Sequence, residues 1–377
     1  MNTTPRYLSP YIKQDLKEKM VFIGGPRQVG KTTLSRMFLK ENGLYLNWDN
    51  LDDRKEILNF SFMKKSPIII FDEIHKYRLW RGFVKGLFDK YQPELKIMVT
   101  GSARLDHFRK GGDSLVGRFH YHRLHPLTLP EISKKCEVDL VKELMMFGGF
   151  PEPFFKQNST FLKRWQRERV SRVVTQDLHD IENVKDISLI ELLTELLYSK
   201  VGSLLSIKSL QEDLSISPNT VERWVGILEN LYFCYRIYPY GVNRIKAVKK
   251  TPKLYLWDWS MVNDESARFE NLVASHLLKY CHFHEDNFGE NMQLCFLKDV
   301  EGGKEIDFVV LKNKKPLFGV ECKTGERSLH KNVTFYQEKL MIPKMYQVHL
   351  GEKDFGHAEK GGRVLPFSTF CLEEGIL

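Results

Sequence analysis

Long apolar runs are missing from this sequence: none approaches the roughly 18 residues that crossing a bilayer requires, so no membrane span is expected. The opening Met1-Asn2-Thr3-Thr4-Pro5-Arg6 has no apolar stretch behind it, and a secretory leader is not expected either. Cysteine is sparse and unpatterned. Its six copies, Cys136, Cys234, Cys281, Cys295, Cys322 and Cys371, form no Cys-x-x-Cys pair, so reduced thiols in a cytoplasmic protein are the expectation. Acid is outnumbered by base, 48 residues against 57, giving a formal net charge of +9. That balance favours polyanionic partners such as nucleic acid. What is present suits a globular protein: 42% hydrophobic and 12% aromatic residues over 377 positions, a length that calls for two or three domains.

Residues 20–34 run from an apolar strand through a glycine-rich turn into a helix. The turn, Gly25-Pro26-Arg27-Gln28-Val29-Gly30-Lys31-Thr32 with Thr33 beside it, satisfies the phosphate-binding loop pattern of nucleoside-triphosphatases at every defined position. Backbone N–H groups around such a turn can wrap a polyphosphate. Lys31 is placed to reach the β- and γ-phosphates of ATP, and the Thr32 hydroxyl to take one Mg²⁺ position.

A second apolar run, Pro67-Ile68-Ile69-Ile70-Phe71, ends in Asp72-Glu73. A buried parallel strand delivers carboxylates to the sheet's C-terminal edge in this way. Asp72 is expected in the Mg²⁺ shell, and Glu73 as the group that orients and polarises the attacking water. A third run, Leu95 to Ser102, reads as the adjacent strand; Ser102 or Thr100 can sense the γ-phosphate or simply cap the next helix. Gly43 to Asp49 reads as a further strand, with a helix from Asp52. The alternation argues for an open, mostly parallel sheet with helices on both faces. Arg118, with Gly117 keeping its approach open, and Arg104 are the candidates for the arginine that neutralises transition-state charge in cis or from a neighbour. His120 and His122, and the Cys281–His284 run, lack the further ligands a metal site needs and are read as polar residues on a sheet edge.

From Pro130 to about residue 190 the pattern is helical and charged, interrupted by Gly148-Gly149-Phe150-Pro151-Glu152-Pro153, a turn or hinge after the first domain. Residues 203–237 read as a helix-turn-helix with a wing. Ser206 to Leu214 is the first helix; Ser217 caps the second, with Pro218 in its first turn. Val221, Trp224, Val225, Leu228 and Leu231 make that helix's buried stripe, and Leu231 to Ile237 is the wing strand. The outward set, Asn219, Thr220, Glu222, Arg223 and Glu229, contains one cation and two acids, a poor phosphate reader. Arg244, Lys246, Lys249, Lys250 and Lys253 form a stronger cationic stretch, the first place to look for nucleic acid.

The last third carries Glu270 on a helical pattern, Asp307 on the strand from Lys304 to Leu311, and Glu321 and Lys323 on the strand from Leu317. Two carboxylates on neighbouring strands, with Glu270 inward from the helix, make a hard-oxygen site for Mg²⁺ or Mn²⁺. Such a metal lowers the pKa of bound water, and Lys323 would orient the nucleophile or neutralise developing charge.

With both constellations in view, the chain resembles the prokaryotic AAA-type (archaeal-ATPase-like) P-loop ATPases that carry a C-terminal PD-(D/E)XK, restriction-endonuclease-like domain. The resemblance rests on Gly25–Thr32, Asp72-Glu73, Thr100-Gly101-Ser102, Gly148–Glu152 and the Glu270/Asp307/Glu321/Lys323 set, and covers nearly the full length. Ile306 stands where the nuclease motif usually has proline. The resemblance implies an α/β architecture: a P-loop ATPase core at 1–130, a helical connector at 131–190, a winged-helix-like unit at 191–240 and a nuclease-like domain at 241–377. Two functional expectations follow. One is a DNA-processing ATPase coupled to a metal-dependent nuclease. The other is a nucleotide-controlled switch, in which a catalytically silent nuclease fold grips DNA or protein. Homo-oligomerisation is compatible with both.

Overall fold

The computed structural model describes residues 6–39, 42–62, 66–102, 115–173, 186–241, 251–299 and 303–377. The chain divides into two compact units, Met1–His125 and Pro126–Leu377.

The first unit is built on β1 (Met20–Gly24), β2 (Gly43–Asn47), β3 (Ile68–Asp72), β4 (Lys96–Gly101) and β5 (Phe119–Arg123). They form one sheet in the order β2-β3-β4-β1-β5, and every neighbouring pair is parallel. β1 and β3 are buried along their whole length, which is why both read as unbroken apolar runs. The helix Trp80–Tyr91 buries Trp80, Val84 and Leu87, one helical face, against a core that includes Phe22, Phe71 and Val99. Hiding a Val or Leu side chain in this way contributes about 1.5–3 kcal/mol.

The strand expected to reach Asp49 stops at Asn47. There the Asn47 side chain accepts the Asp49 N–H at 2.9 Å, and the Asn50 N–H closes a turn onto the Asn47 carbonyl at 3.0 Å. Asn50 then caps the helix Leu51–Leu58 by accepting from the N–H groups of Asp52 and Asp53.

The second unit centres on a mixed sheet of eight strands: β6 (Cys234–Pro239), β7 (Lys253–Leu256), β8 (Met292–Lys298), β9 (Glu305–Lys312), β10 (Lys315–Cys322), β11 (Met345–His349), β12 (Phe355–His357) and β13 (Gly362–Pro366). Their order is β12-β13-β11-β10-β9-β8-β6-β7. The 24-residue helix Glu265–Phe288 packs on β7, β8, β9 and β10. It starts where the Asp264 carboxylate accepts the Ala267 N–H and ends at Gly289, whose φ of 66° only glycine adopts freely.

Three expectations change here. Gly148 to Pro153 turns the chain between the helices Val138–Phe147 and Pro151–Lys156, but it is not a hinge after the first unit. A Cβ on Gly149 would lie 2.4 Å from the Trp259 ring and 2.6 Å from the Leu127 carbonyl oxygen, so the segment is tightly packed inside the second unit. Next, Ser217 caps the helix Pro218–Asn230 and its apolar stripe is buried as read, yet the strand after it is no free-standing wing. β6 pairs with β7 on one side and β8 on the other, so the helix-turn-helix region continues into the sheet. Finally, Lys253 does not belong to an exposed cationic stretch. It opens β7 with 3% of its surface exposed. Arg104 and the segment Arg244–Lys250 lie outside the described residues.

Candidate functional site

β1, β3 and β4 all point their C-terminal ends at one place, where the turn after β1 curls into the helix Lys31–Arg36. Glycine is needed at position 25: its φ is 151°, and a Cβ would sit 2.4 Å from the Leu124 carbonyl oxygen. Gly30 adopts φ 100° and Gln28 φ 62°. Along the turn Pro26 and Val29 are buried, Arg27, Gln28 and Thr32 are half-buried, and Thr33 is exposed. Lys31, 7% exposed, donates from Nζ to the carbonyl oxygens of Gly25 at 2.8 Å and Pro26 at 2.7 Å. Arg6 supports the turn from behind, with one guanidinium nitrogen 2.7 Å from the Val29 carbonyl oxygen and another 2.5 Å from that of His125.

Asp72 ends β3 beside the turn. Its Oδ2 accepts from Thr32 Oγ1 at 3.0 Å and from the Tyr45 hydroxyl, and its Oδ1 accepts from Thr100 Oγ1. Burial, and then the Asp72 carboxylate, push the Tyr45 phenol well above its usual range, so it stays protonated and donating. Glu73 follows at φ 55°, a backbone strain of the kind functional sites hold. Its Oε1 accepts the Ser102 N–H at 2.9 Å and its Oε2 the Ser102 hydroxyl at 3.1 Å. His75 Nε2 stands 3.7 Å from Oε2, and burial lowers its pKa, which keeps the imidazole neutral. The structure therefore brings Lys31, Thr32, Asp72, Glu73, Thr100 and Ser102 together. Ser102 holds Glu73, while Thr100 holds Asp72.

The donor set fits ATP with Mg²⁺. A lysine sits in the turn, and a threonine hydroxyl and a carboxylate oxygen meet at the strand end. These are hard oxygens of the kind Mg²⁺ takes directly or through water. Arg118 is the exception among the expected site residues of this unit. It precedes β5 at the sheet edge opposite the turn, since β5 runs parallel to β1 with Phe119 beside Met20. Its guanidinium is forked onto Asp89 at 2.6 and 3.2 Å. This chain does not bring Arg118 to its own phosphate turn.

In the second unit, Glu270, Asp307, Glu321 and Lys323 do converge, with a residue the sequence reading had assigned elsewhere. Lys253 Nζ lies 2.6 Å from Glu305 Oε1, 3.1 Å from Glu270 Oε1 and 3.4 Å from Asp307 Oδ1. Tyr255, two residues along the same strand face, donates its hydroxyl to Glu270 Oε1 at 2.7 Å. Asp307 Oδ2 accepts the Cys322 N–H at 2.9 Å. Glu321 Oε1 pairs with Lys323 Nζ at 2.6 Å, while its Oε2 is buried without a hydrogen-bond partner. Burial, and then the Asp307 charge, raise Glu270 and Glu321 each from the usual 4.5 to about 7. Burial alone would lower Lys253, but Glu270, Asp307 and Glu305 outweigh it and keep the ammonium charged.

Among the described residues no group of three or more His, Cys, Asp or Glu side chains is arranged to hold a metal ion. The acids expected as metal ligands, Glu270, Asp307 and Glu321, do lie in one cluster, but the ammonium of Lys253 stands between Glu270 and Asp307. The Lys253 role had a sequence signal: Lys253 and Tyr255 alternate with Leu254 and Leu256 on a short strand, a pattern that puts the lysine on a sheet face. Tyr45 and Arg6 left no such signal.

A five-stranded parallel sheet in this order, with a phosphate-type turn after β1 and a carboxylate pair after β3, defines a P-loop ATPase-like unit. In agreement, residues 17–133 match the family described as an AAA domain. Residues 138–270 and 265–370 match two domains of unknown function, DUF8612 and DUF4143, and neither description names a nuclease. An uncharacterized protein of Methanocaldococcus jannaschii is 23% identical over 382 residues, covering 90% of this chain and 84% of that protein. A second uncharacterized protein of the same organism is 26% identical over 336 residues, covering 72% and 70%. Among solved structures, a signal transduction ATPase with numerous domains (STAND) and a tetratricopeptide repeat sensor from Pyrococcus horikoshii aligns at 13% identity over 74% of this chain and 47% of that one. Its TM-score is 0.23, too slight a likeness to carry an argument. Among the described residues no helix is long and apolar enough to cross a membrane.

Proposed function

We propose that the first unit binds ATP with Mg²⁺ and hydrolyses it, and that nucleotide state controls binding of a partner by the second unit. The observation that supports hydrolysis is the arrangement of Glu73, whose carboxylate is held by both donors of Ser102 beside Asp72 and Thr32. Lys31 leaves the turn carbonyls to pair with the β- and γ-phosphates. Thr32 and Asp72 would hold Mg²⁺, which when bound would neutralise phosphate charge. Tyr45 and Thr100 fix the Asp72 carboxylate. Glu73 orients a water against the γ-phosphorus and takes its proton as the new P–O bond forms and the bond to the β–γ bridging oxygen breaks. The test is paired: Lys31→Ala is expected to lose nucleotide binding or turnover, and Glu73→Gln to bind ATP without hydrolysing it. Undiminished turnover in Glu73→Gln removes Glu73 from this role.

A second reading, a metal-dependent nuclease acting on DNA through Asp307, Glu321 and Lys323, is favoured by one observation, the buried and unpartnered Glu321 Oε2. Cutting of branched or linear DNA with Mg²⁺ or Mn²⁺ tests it. Cutting that persists when Asp307→Ala and Lys323→Ala are combined refutes the site.

A further inference from the structure

The Lys253 side chain is enclosed on every side the structure describes. An ammonium has three hydrogens to donate, and three carboxylates, from β9 (Glu305, Asp307) and the helix Glu265–Phe288 (Glu270), face it within 3.4 Å. The Phe296 ring centroid lies 5.6 Å from Nζ. The three acids are also engaged elsewhere: Glu305 by Lys298 at 2.9 Å, Asp307 by the Cys322 N–H, and Glu270 by Tyr255. The lysine cannot easily swing out, because its backbone is clamped from two directions. Lys253 pairs with Ile237 of β6, and on the other side Leu205 N donates to the Pro252 carbonyl at 2.8 Å and Gly202 N to the Leu254 carbonyl at 2.9 Å. A divalent Mg²⁺ needs oxygens near 2.0–2.1 Å, and a second positive centre at this place would repel the ammonium.

We propose that Lys253 is the resident cation of the second unit: its ammonium, in place of a divalent metal, neutralises Glu270, Glu305 and Asp307 and joins the 201–205 segment, β7, β9 and the helix Glu265–Phe288 into one metal-independent block. This rests on reading the second unit as a binding element, and is independent of ATP hydrolysis by the first. Removing the ammonium leaves Glu270, Glu305, Asp307 and the half-satisfied Glu321 with, among the described residues, Lys298 on Glu305 and Lys323 on Glu321 as their ammonium partners. Such a site recruits a cation from solution.

The experiment uses the full chain without nucleotide and Mn²⁺ as probe, read by electron paramagnetic resonance and by thermal melting. Wild-type and Asp307→Asn proteins are expected to bind the same amount of Mn²⁺, and the wild-type melting temperature to ignore it. Lys253→Met is expected to melt lower, to bind one further Mn²⁺ roughly tenfold more tightly or better than wild type, and to regain melting temperature as Mn²⁺ is added. A wild-type Mn²⁺ site that Asp307→Asn abolishes overturns the proposal, as does a folded Lys253→Met protein that gains none. Should Lys253→Met not fold, the comparison of wild type with Asp307→Asn decides alone. ATP binding, measured separately on the same samples, reports on the first unit, so failure of one reading is not mistaken for failure of the other.

Discussion

Both units gather carboxylates, the first at the end of β3 and the second from β9, β10 and the helix Glu265–Phe288, and they neutralise them in opposite ways. Around Asp72 and Glu73 the hydrogen-bond donors are uncharged: the hydroxyls of Thr32, Tyr45, Thr100 and Ser102, and the Ser102 N–H. Around Glu270, Glu305, Asp307 and Glu321 the partners include three ammoniums, Lys253, Lys298 and Lys323. Neutral donors fix a carboxylate's orientation and leave its negative charge available to a cation that arrives with a ligand. Ammonium groups fix the orientation and cancel the charge as well. The first arrangement suits a site that cycles through Mg²⁺-bound nucleotide; the second suits a permanent joint. Charge bookkeeping, more than the number of acids, separates the two.

That contrast breaks most sharply at the lysines. Lys31→Ala should reduce ATP turnover by roughly 10²–10³-fold, the scale of losing one donor to developing charge, while leaving urea stability near wild type. Lys253→Met should do the reverse: leave ATP binding intact and cost about 3–5 kcal/mol in urea unfolding at pH 7, because buried carboxylates lose their counter-charge. Equal effects of both variants on turnover and stability would falsify the division of labour. Glu73→Gln should lower kcat by about 10²–10⁴-fold with ATP affinity retained, read by single-turnover kinetics.

Two acids of the second unit carry a pH signature. Glu270 and Glu321 are raised from 4.5 to about 7 in the folded state. Between those values the native state holds more protons than the unfolded chain, so their contribution is present in full below about pH 4.5 and is lost as pH rises through about 7. Urea melts across this range should show Glu321→Gln flattening the decline; an unchanged slope removes Glu321 from its cause. The smallest effect belongs to Tyr45→Phe, which deletes one hydrogen bond to Asp72. It should raise the Mg²⁺ concentration for half-maximal turnover roughly two- to tenfold with little change in melting temperature. An unmoved Mg²⁺ dependence would reduce Tyr45 to packing.

The phosphate turn could be read from sequence because its determinants are contiguous: two glycines at left-handed or extended positions, a lysine and a threonine, between an apolar strand and a helix. Asp72-Glu73 was legible for the same reason, placed by the end of one strand. The helix Pro218–Asn230 was legible from its cap and its stripe. By contrast, Tyr45 reaches Asp72 across 27 residues and Arg6 reaches the His125 carbonyl across 119. Nothing local in either sequence neighbourhood specifies such partners. That the expected wing strand also joins β8 was not legible, because local pattern shows that a strand exists and says nothing about what pairs with its second edge.

What the amino-acid order settled by itself is therefore the nucleotide-type turn, the carboxylates that end β3, and the helices whose caps and stripes are written within a dozen residues. What only the folded chain decided is which cation answers the second set of acids. Lys253 stands 17 residues from Glu270 and 54 from Asp307. β7 and β9 are not neighbours in the sheet, and Glu270 comes from the helix Glu265–Phe288, so it is the packing of these three elements that carries one ammonium and three carboxylates to a common point. Electrostatic partnership depends on distance in space, and for groups this far apart along the chain that distance is set by tertiary packing.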